Sequence, residues 1–332
     1  MEKVKWGVLS TAKIGLEKVI PAMQRGQYCD MHAIASRSLP SAQAAADKLG
    51  IPKAYGSYEE LIADPTIEAI YNPLPNDMHV PWTLAAARAG KHVLCEKPVA
   101  MTARQAAELK EVADKVCIME AFMVRFHPQW LRARELVRSG ALGDVRALQV
   151  FFSYFNVDGA NIRNRMETGG GALYDIGCYA IVAGRFFFEA EPVRVMALME
   201  RDPEFQTDRT TSALVDFGQG RRLDFTVSTQ TAPYQRVQII GTKQRVEIEI
   251  PFNAPPNEPT RIWVDAGKVL GGAAAVQETL PPCDQYTLQG DAFSQAVRKN
   301  IALPYGVDDA VANMRTIDAI FRSGASGLWE SL

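Results

Sequence analysis

Three side chains of this 332-residue sequence stand out as able to move a proton together: Lys97, Asp175 and Tyr179. A phenol is too weakly acidic to ionise unaided near neutral pH, but a nearby ammonium favours the phenolate. A phenolate can take the proton of an alcohol while hydride leaves the same carbon. Lys97 lies in Glu96-Lys97-Pro98, directly after the apolar run His92–Cys95. Pro98 restricts the lysine backbone and admits a cis peptide, either of which would fix the direction of the ammonium. Asp175 and Tyr179 lie four apart in Gly169-Gly170-Gly171-Ala172-Leu173-Tyr174-Asp175-Ile176-Gly177-Cys178-Tyr179, hence on one face of a helix. The glycines would permit close approach of a ligand, and Asp175 would orient a substrate or the lysine. On these residues alone, a core aspartate and a packed tyrosine on a buried helix is the competing reading.

Hydride chemistry needs an acceptor, and the N-terminal segment offers a place for one. Lys5–Leu9 reads as a strand and is followed by Ser10-Thr11-Ala12-Lys13-Ile14-Gly15. This is G-x-G-x-x-G with its first two glycines replaced by small residues, at the turn where a dinucleotide fold presents helix N–H groups to a pyrophosphate. After the second β-like run, Ser36-Arg37-Ser38 stands where an NAD enzyme places an acid for the ribose 2′-hydroxyl. A guanidinium between two hydroxyls suits a 2′-phosphate instead, so NADP is expected over NAD. The segment Tyr71–His79 follows a further strand, and Pro73 and Pro75 would stiffen it as a loop holding Asn76 and His79 near a nicotinamide ribose. A solvated Arg37 and a surface His79 are the plainer alternatives.

The elements that must position these residues fall into two sets. Up to about residue 121, short β-like runs (Lys5–Leu9, Met31–Ser36, Ala69–Asn72, His92–Cys95, Val116–Glu120) alternate with helical ones (Ile14–Gln24, Ser41–Leu49, Tyr58–Ala63, Pro81–Ala89 and a Thr102-capped helix to Val112). That alternation is the pattern of a doubly wound parallel sheet, the Rossmann arrangement. From 122 to 332 one helix, Gln129–Ser139, precedes seven β-like runs between Val145 and Asp265, and two helices close the chain. The expected architecture is therefore α/β (1–121) plus α+β (122–332), the second domain built on a large, mostly antiparallel open-faced sheet.

Bulk properties narrow the partners. A net charge of −2 gives no electrostatic case for nucleic acid or an anionic membrane, and 47% hydrophobic with 22% charged residues is a globular composition without a bilayer-length apolar run. Five scattered cysteines without a C-x-x-C pair point to reduced thiols, four histidines lack metal-ligand spacing, and the N-terminus carries no secretory pattern. A cytoplasmic protein with a small-molecule ligand and no metal is expected.

Ser10–Gly15, Pro75-Asn76-x-x-His79, Glu96-Lys97-Pro98 and Glu120–Pro128 together make the chain similar, over essentially its whole length, to the glucose–fructose oxidoreductase/inositol dehydrogenase (Gfo/Idh/MocA) family. Tyrosine at 179, where inositol dehydrogenase-like members carry histidine, resembles the branch of glucose–fructose oxidoreductase, D-xylose dehydrogenase and dimeric dihydrodiol dehydrogenase. The resemblance implies an NADP-dependent oxidoreductase acting on a cyclic aldose such as D-xylose or D-glucose, giving the lactone, with Lys97 and Tyr179 as acid/base pair and Asp175 beside them. It implies cofactor contacts from Ser10, Thr11, Ala12, Lys13, Ile14, Ser36, Arg37, Ser38, Pro73, Leu74, Asn76, His79, Glu96, Lys97 and Arg125. Substrate contacts are implied for Lys97, Asn161, Arg163, Asp175 and Tyr179, with His127 and Tyr286 near the pocket. Within enzymes the alternatives are reduction of a keto sugar, oxidation of a trans-dihydrodiol, or dismutation of two sugars on a retained cofactor. Outside enzymes, the alternative is a catalytically silent NADP-binding sensor. Pairing of C-terminal sheets into a homodimer or homotetramer is also implied.

Overall fold

A computed structural model of the chain describes residues 2–332 and divides into two compact units, one running up to Met123 and including 285–314 and the other of 124–284 with 315–332. The fifteen strands are β1 (Val4–Leu9), β2 (Cys29–Ala35), β3 (Lys53–Tyr55), β4 (Ala69–Asn72), β5 (His92–Cys95), β6 (Ile118–Glu120), β7 (Val145–Phe155), β8 (Arg194–Arg201), β9 (Asp208–Asp216), β10 (Arg222–Ser228), β11 (Gln230–Gly241), β12 (Arg245–Ile248), β13 (Thr260–Asp265), β14 (Val276–Leu280) and β15 (Glu330–Ser331). The α-helices are α1 (Ile20–Gln24), α2 (Leu39–Leu49), α3 (Tyr58–Ala63), α4 (Asn76–Arg88), α5 (Ala103–Glu108), α6 (Pro128–Arg138), α7 (Cys178–Phe188), α8 (Gln285–Lys299) and α9 (Val307–Ser326).

In the first unit six strands run in the order β3-β2-β1-β4-β5-β6, and every pairing is parallel. Strand order reverses between β1 and β4, the point at which such sheets open a crevice at their carboxyl edge. Strands of this kind are covered on both faces and so are mostly apolar: Val4, Trp6, Val8 and Leu9 of β1 are all wholly buried, and Lys5 is its one charged residue. Trp6 explains why the chain after residue 284 does not stay with the second domain expected from sequence. Its indole Nε1 donates to Ser294 Oγ at 3.1 Å and its ring lies 5.2 Å from that of Phe293, which ties α8 to β1. Residues 285–314 thus belong with the nucleotide-type unit rather than with a C-terminal block of 122–332. Nothing in the helical periodicity of α8 encodes which sheet its apolar face will cover.

Three local expectations also shift. Helix α4 begins at Asn76 and contains Pro81 rather than starting there, so Asn76 and His79 ride on its first turn and not on a loop. The helix capped by Thr102, whose hydroxyl accepts from Gln105 N, is α-helical only to Glu108 before a tight 3-10 turn. The stretch Ile14–Gln24 opens with a π turn, Gly15–Val19, ahead of α1.

The second unit carries a nine-stranded sheet, β14-β13-β12-β11-β7-β10-β9-β8-β15, antiparallel except where β7 meets β10. The short edge strands β14 and β15, and β3 in the first sheet, have too few residues to show a period-2 signal. Along β7 the buried residues Leu148, Val150 and Phe152 alternate with more exposed ones, as a sheet covered on one face requires. The covered face holds an aromatic core in which Trp130 packs against Phe186, Phe187 and Phe252 at 5.4, 5.1 and 6.2 Å. The opposite face is an open groove of 630 Å³ lined by residues such as Phe151, Met196, Leu198, Leu214, Tyr234 and Arg236.

Candidate active site

The first unit gathers most of the expected cofactor residues at the carboxyl ends of its strands. Ser10 ends β1 with φ +81°, a backbone state that glycine adopts freely and serine seldom does. The glycine missing from the sequence pattern is therefore replaced in side chain but not in conformation. Ser10 N donates to Ala35 O at 2.9 Å and its hydroxyl accepts from Ala12 N at 3.2 Å, which holds the turn leading through Thr11 and Lys13 to Ile14. Lys13 is largely exposed and sits 4.0 Å from Glu17. At the end of β2, Ser36 Oγ accepts from Ser38 N, and exposed Arg37 hydrogen-bonds the buried Tyr58 hydroxyl. Burial raises the Tyr58 pKa and Arg37 partly offsets that rise. A small-residue turn with glycine-like backbone, and a braced guanidinium between two serines, fit a dinucleotide carrying a 2′-phosphate.

Two further turns complete this edge. Buried Asn72 donates to His79 O at 3.1 Å and accepts from Leu74 N at 3.3 Å, fixing the Pro73–Leu74 turn against α4. The His79 ring lies 2.7 Å from Leu74 O through Nε2 and 2.7 Å from Pro98 O through Nδ1. At 1% exposure, with both nitrogens against main-chain carbonyls, His79 braces two turns and presents no ring atom to a ribose, contrary to expectation. Burial pushes its pKa down to about 4 against the opposing pull of the Pro98 and Leu74 carbonyls, with a smaller downward push from the Lys97 ammonium. The Lys97–Pro98 peptide is cis. Glu96 accepts from Tyr71 Oη at 2.7 Å, and Glu120 accepts from Val99 N at 2.8 Å, so the turn bearing Lys97 is clamped on either side. Neither Tyr71 nor Glu120 was marked as a site residue by its type or spacing. Tyr286 of α8 also lies close enough to Tyr71 to act on its pKa.

Arg125 is 3% exposed on the turn Met123–Phe126 and falls within the second unit, not with the other expected cofactor residues. His127, placed beside the pocket by resemblance, is instead wholly buried and caps α6 by accepting from Gln129 N at 3.1 Å. Burial holds its pKa at about 4.

The second unit brings together Asn161, Arg163, Asp175 and Tyr179. Tyr179 is the second residue of α7, at 6% exposure, its ring 6.0 Å from Phe152 and 5.4 Å from Phe252. Asp175 lies in a π turn, Leu173–Gly177, that leads directly into α7; such turns recur at functional sites. Its Oδ2 accepts from Tyr154 Oη at 2.6 Å and pairs with Arg163 Nε at 2.9 Å. Arg163 thus meets the carboxylate, and Asn161 Oδ1 accepts from Arg163 N at 3.1 Å to shape the strap that carries it. Burial and then the Asp175 charge drive the Tyr154 pKa far above the ordinary phenol range, so Tyr154 is a fixed donor to Asp175. Tyr154 had no sequence signal, being one residue of an unremarkable strand.

The glycines before Asp175 have a different use from the one expected. A Cβ on Gly170 would come 2.5 Å from Arg163 O, and one on Gly171 would come 2.0 Å from Asp208 Oδ1. They admit the protein's own strap and carboxylate rather than a ligand. Gly171 also has φ +116°, which disfavours any side chain there.

Comparison with known proteins agrees with this geometry. Residues 4–122 match the sequence family described as an oxidoreductase family with an NAD-binding Rossmann fold, and residues 130–247 match the GFO/IDH/MocA C-terminal domain. The chain belongs to the Gfo/Idh/MocA family of NAD(P)-dependent oxidoreductases. It is 40% identical to a D-xylose 1-dehydrogenase (NADP(+)) of Haloferax volcanii across 97% of this chain and 98% of that one. It is 33% identical to a trans-1,2-dihydrobenzene-1,2-diol dehydrogenase of Xenopus laevis over 81% of this chain and 79% of the relative. Among solved structures, a 3-ketoreductase from Actinomadura kijaniata in complex with NADP and TDP-benzene superposes with a TM-score of 0.90 at 28% identity, covering 97% of this chain and 98% of the other. Among the described residues, no helix is long and apolar enough to cross a membrane and no cluster of side chains is suited to a metal.

Proposed function

We propose that this oxidoreductase is an NADP-dependent dehydrogenase of a cyclic aldose such as D-xylose or D-glucose, oxidising the C1 hydroxyl to the lactone. The observation that carries the reading is Tyr179, set one helical turn beyond an Asp175 whose carboxylate is already oriented by Tyr154 and Arg163. In this reading Tyr179 accepts the C1 hydroxyl proton, and Lys97 favours its phenolate form before that transfer. Asp175 receives a second sugar hydroxyl, with Asn161 and Arg163 on the strap beside it. The nicotinamide supplies the hydride acceptor. Ser10–Ile14 and Ser36–Ser38 hold the diphosphate and the 2′-phosphate, while Pro73, Leu74, Asn76 and Glu96 shape the nicotinamide side. The xylose dehydrogenase at 40% identity supports the substrate class.

The test is NADPH formation across a panel of aldoses and trans-dihydrodiols, with keto sugars assayed in the reverse direction. Turnover of D-xylose or D-glucose is expected. Lys97→Ala should keep NADP binding yet lose activity, by on the order of 10²–10⁴-fold for an acid/base partner. An unchanged rate in that variant overturns the mechanism, and inertness of the wild type toward the whole panel favours the silent sensor. Preference for a dihydrodiol or keto sugar would select the second reading, which the 33% relative and the ketoreductase likeness support.

A second copy of this chain is the proposed occupant of the open sheet face. Leu198 is 78% exposed there, with the exposed apolar side chains of Met196, Leu214 and Tyr234 beside it on one face. Light scattering should give a dimer or tetramer, and Leu198→Asp should shift it toward monomer.

A further inference from the structure

The helix that carries Asp175 and Tyr179 starts on a carboxylate for which the proposed reaction has no use. Asp208, first residue of β9, is 2% exposed. Its Oδ2 accepts from Leu173 N at 2.8 Å and from Thr211 Oγ1 at 2.7 Å. Its Oδ1 fills the space that any side chain on Gly171 would need. Leu173 opens the π turn that contains Asp175, so Asp208 satisfies an N–H at a helix start and sets negative charge against the positive end of the helix dipole.

The groups facing this carboxylate come from every element around it. Arg201 approaches from β8, Tyr154 from β7, Tyr174 from the π turn and Thr211 from β9 itself. Burial dominates, raising the Asp208 pKa to about 6, while Thr211, Leu173 N and Arg201 pull the other way. Two routes lead from it to the site. One is the main chain from Leu173 to Asp175; the other is Tyr154, which feels the Asp208 charge and donates to Asp175.

We infer that Asp208 is a positioning residue whose ionised carboxylate holds the first turn of the Asp175–Tyr179 helix in working register, and whose protonation relaxes that turn and lowers turnover. This rests on the reading of Tyr179 as proton acceptor. Protonation leaves a neutral oxygen where two charge-assisted hydrogen bonds were made, and neutral bonds are about half as strong.

The experiment compares the pH dependence of kcat in the wild type, Asp208→Asn and Thr211→Val, with NADP KM measured alongside. In the wild type kcat should fall on the acid side through about pH 6, the pKa of Asp208. Asp208→Asn should run about 10-fold slower at high pH, the scale of one charge-assisted bond, and should lose that acid limb while its NADP KM stays unchanged. Thr211→Val removes a bond to the charged form and should move the limb to higher pH. A wild-type limb retained in Asp208→Asn overturns the inference. Should Asp208→Asn fail to fold, Thr211→Val decides: an unshifted limb overturns it.

A measurement without substrate separates this proposal from the reading beneath it. The Leu173 amide resonance should titrate with a midpoint near pH 6, and a flat response overturns the role of Asp208. A fully active Tyr179→Phe would instead refute the proton-acceptor reading while leaving the Leu173 titration to judge Asp208.

Discussion

The two units hold their candidate residues by different means. In the first unit the turns are fixed through the main chain: His79 braces two carbonyls, Asn72 and Glu120 hold backbone amides, and Ser10 bends the phosphate turn by its own φ. In the second unit the working groups are held by ionised side chains, with Asp175 between Tyr154 and Arg163 and Asp208 at the helix start. Fixing by backbone suits a partner that is the same in every reaction. Fixing by exchangeable side chains suits a substrate that differs from one relative to the next.

Substitutions can break this contrast. The largest effect is expected from Tyr179→Phe, which removes the proposed proton acceptor. Activity should fall on the order of 10²–10⁴-fold while NADP affinity, read by fluorescence titration, holds. A comparable loss of NADP affinity would mean that the two sets of residues are not separately held.

Acid should act with opposite sign on the two buried histidines and on Asp208. His79 and His127 have folded pKa values of about 4, below the 6.5 of the free side chain. Their neutral forms therefore contribute stability that is fully present above pH 6.5 and is lost as pH falls through about 4, on the order of 3 kcal/mol for each ring. Asp208 is raised from 3.8 to about 6, so its ionised form costs stability as pH climbs through that window. Denaturant midpoints across this range should show Asp208→Asn more stable than the wild type at neutral pH and His79→Gln less stable. A less stable Asp208→Asn would mean that the carboxylate serves the fold rather than the site.

Smaller effects sharpen the cofactor side. Arg37→Ala should raise the KM for NADP about 10- to 100-fold with little change for NAD, the worth of one or two charge-assisted bonds to a phosphate. Equal loss for both cofactors would remove the 2′-phosphate assignment. Smallest is Ser10→Gly, which relieves a left-handed backbone state and should stabilise the protein by about 1 kcal/mol, seen as a modest rise in Tm.

Much of this was legible in the residues and some could not be. Alternation of strand and helix revealed the parallel sheet, because both faces are covered and the strands are mostly apolar. The polar residues ending β4 and β5 marked the sheet edge. What escaped were long-range pairings: Trp6 with α8, Tyr154 with Asp175 and Asp208 with Leu173 join residues 288, 21 and 35 positions apart, and no local pattern records them. Gly170 and Gly171 were legible as a close approach, but not as an approach by the protein itself. His79 showed the reverse problem, since a histidine in a ligand-edge segment looks the same whether it faces a ligand or a pair of carbonyls.

The crowding at Gly170 and Gly171 bears on how this scaffold can acquire new specificity. Strap, glycines, helix start and Asp208 interlock at distances that leave no room for a methyl group. Swapping a strap from a relative, or enlarging a single position, would strand the remaining pieces. Residues 161–179 and position 208 are best treated as one transplantable cassette, exchanged whole or left alone.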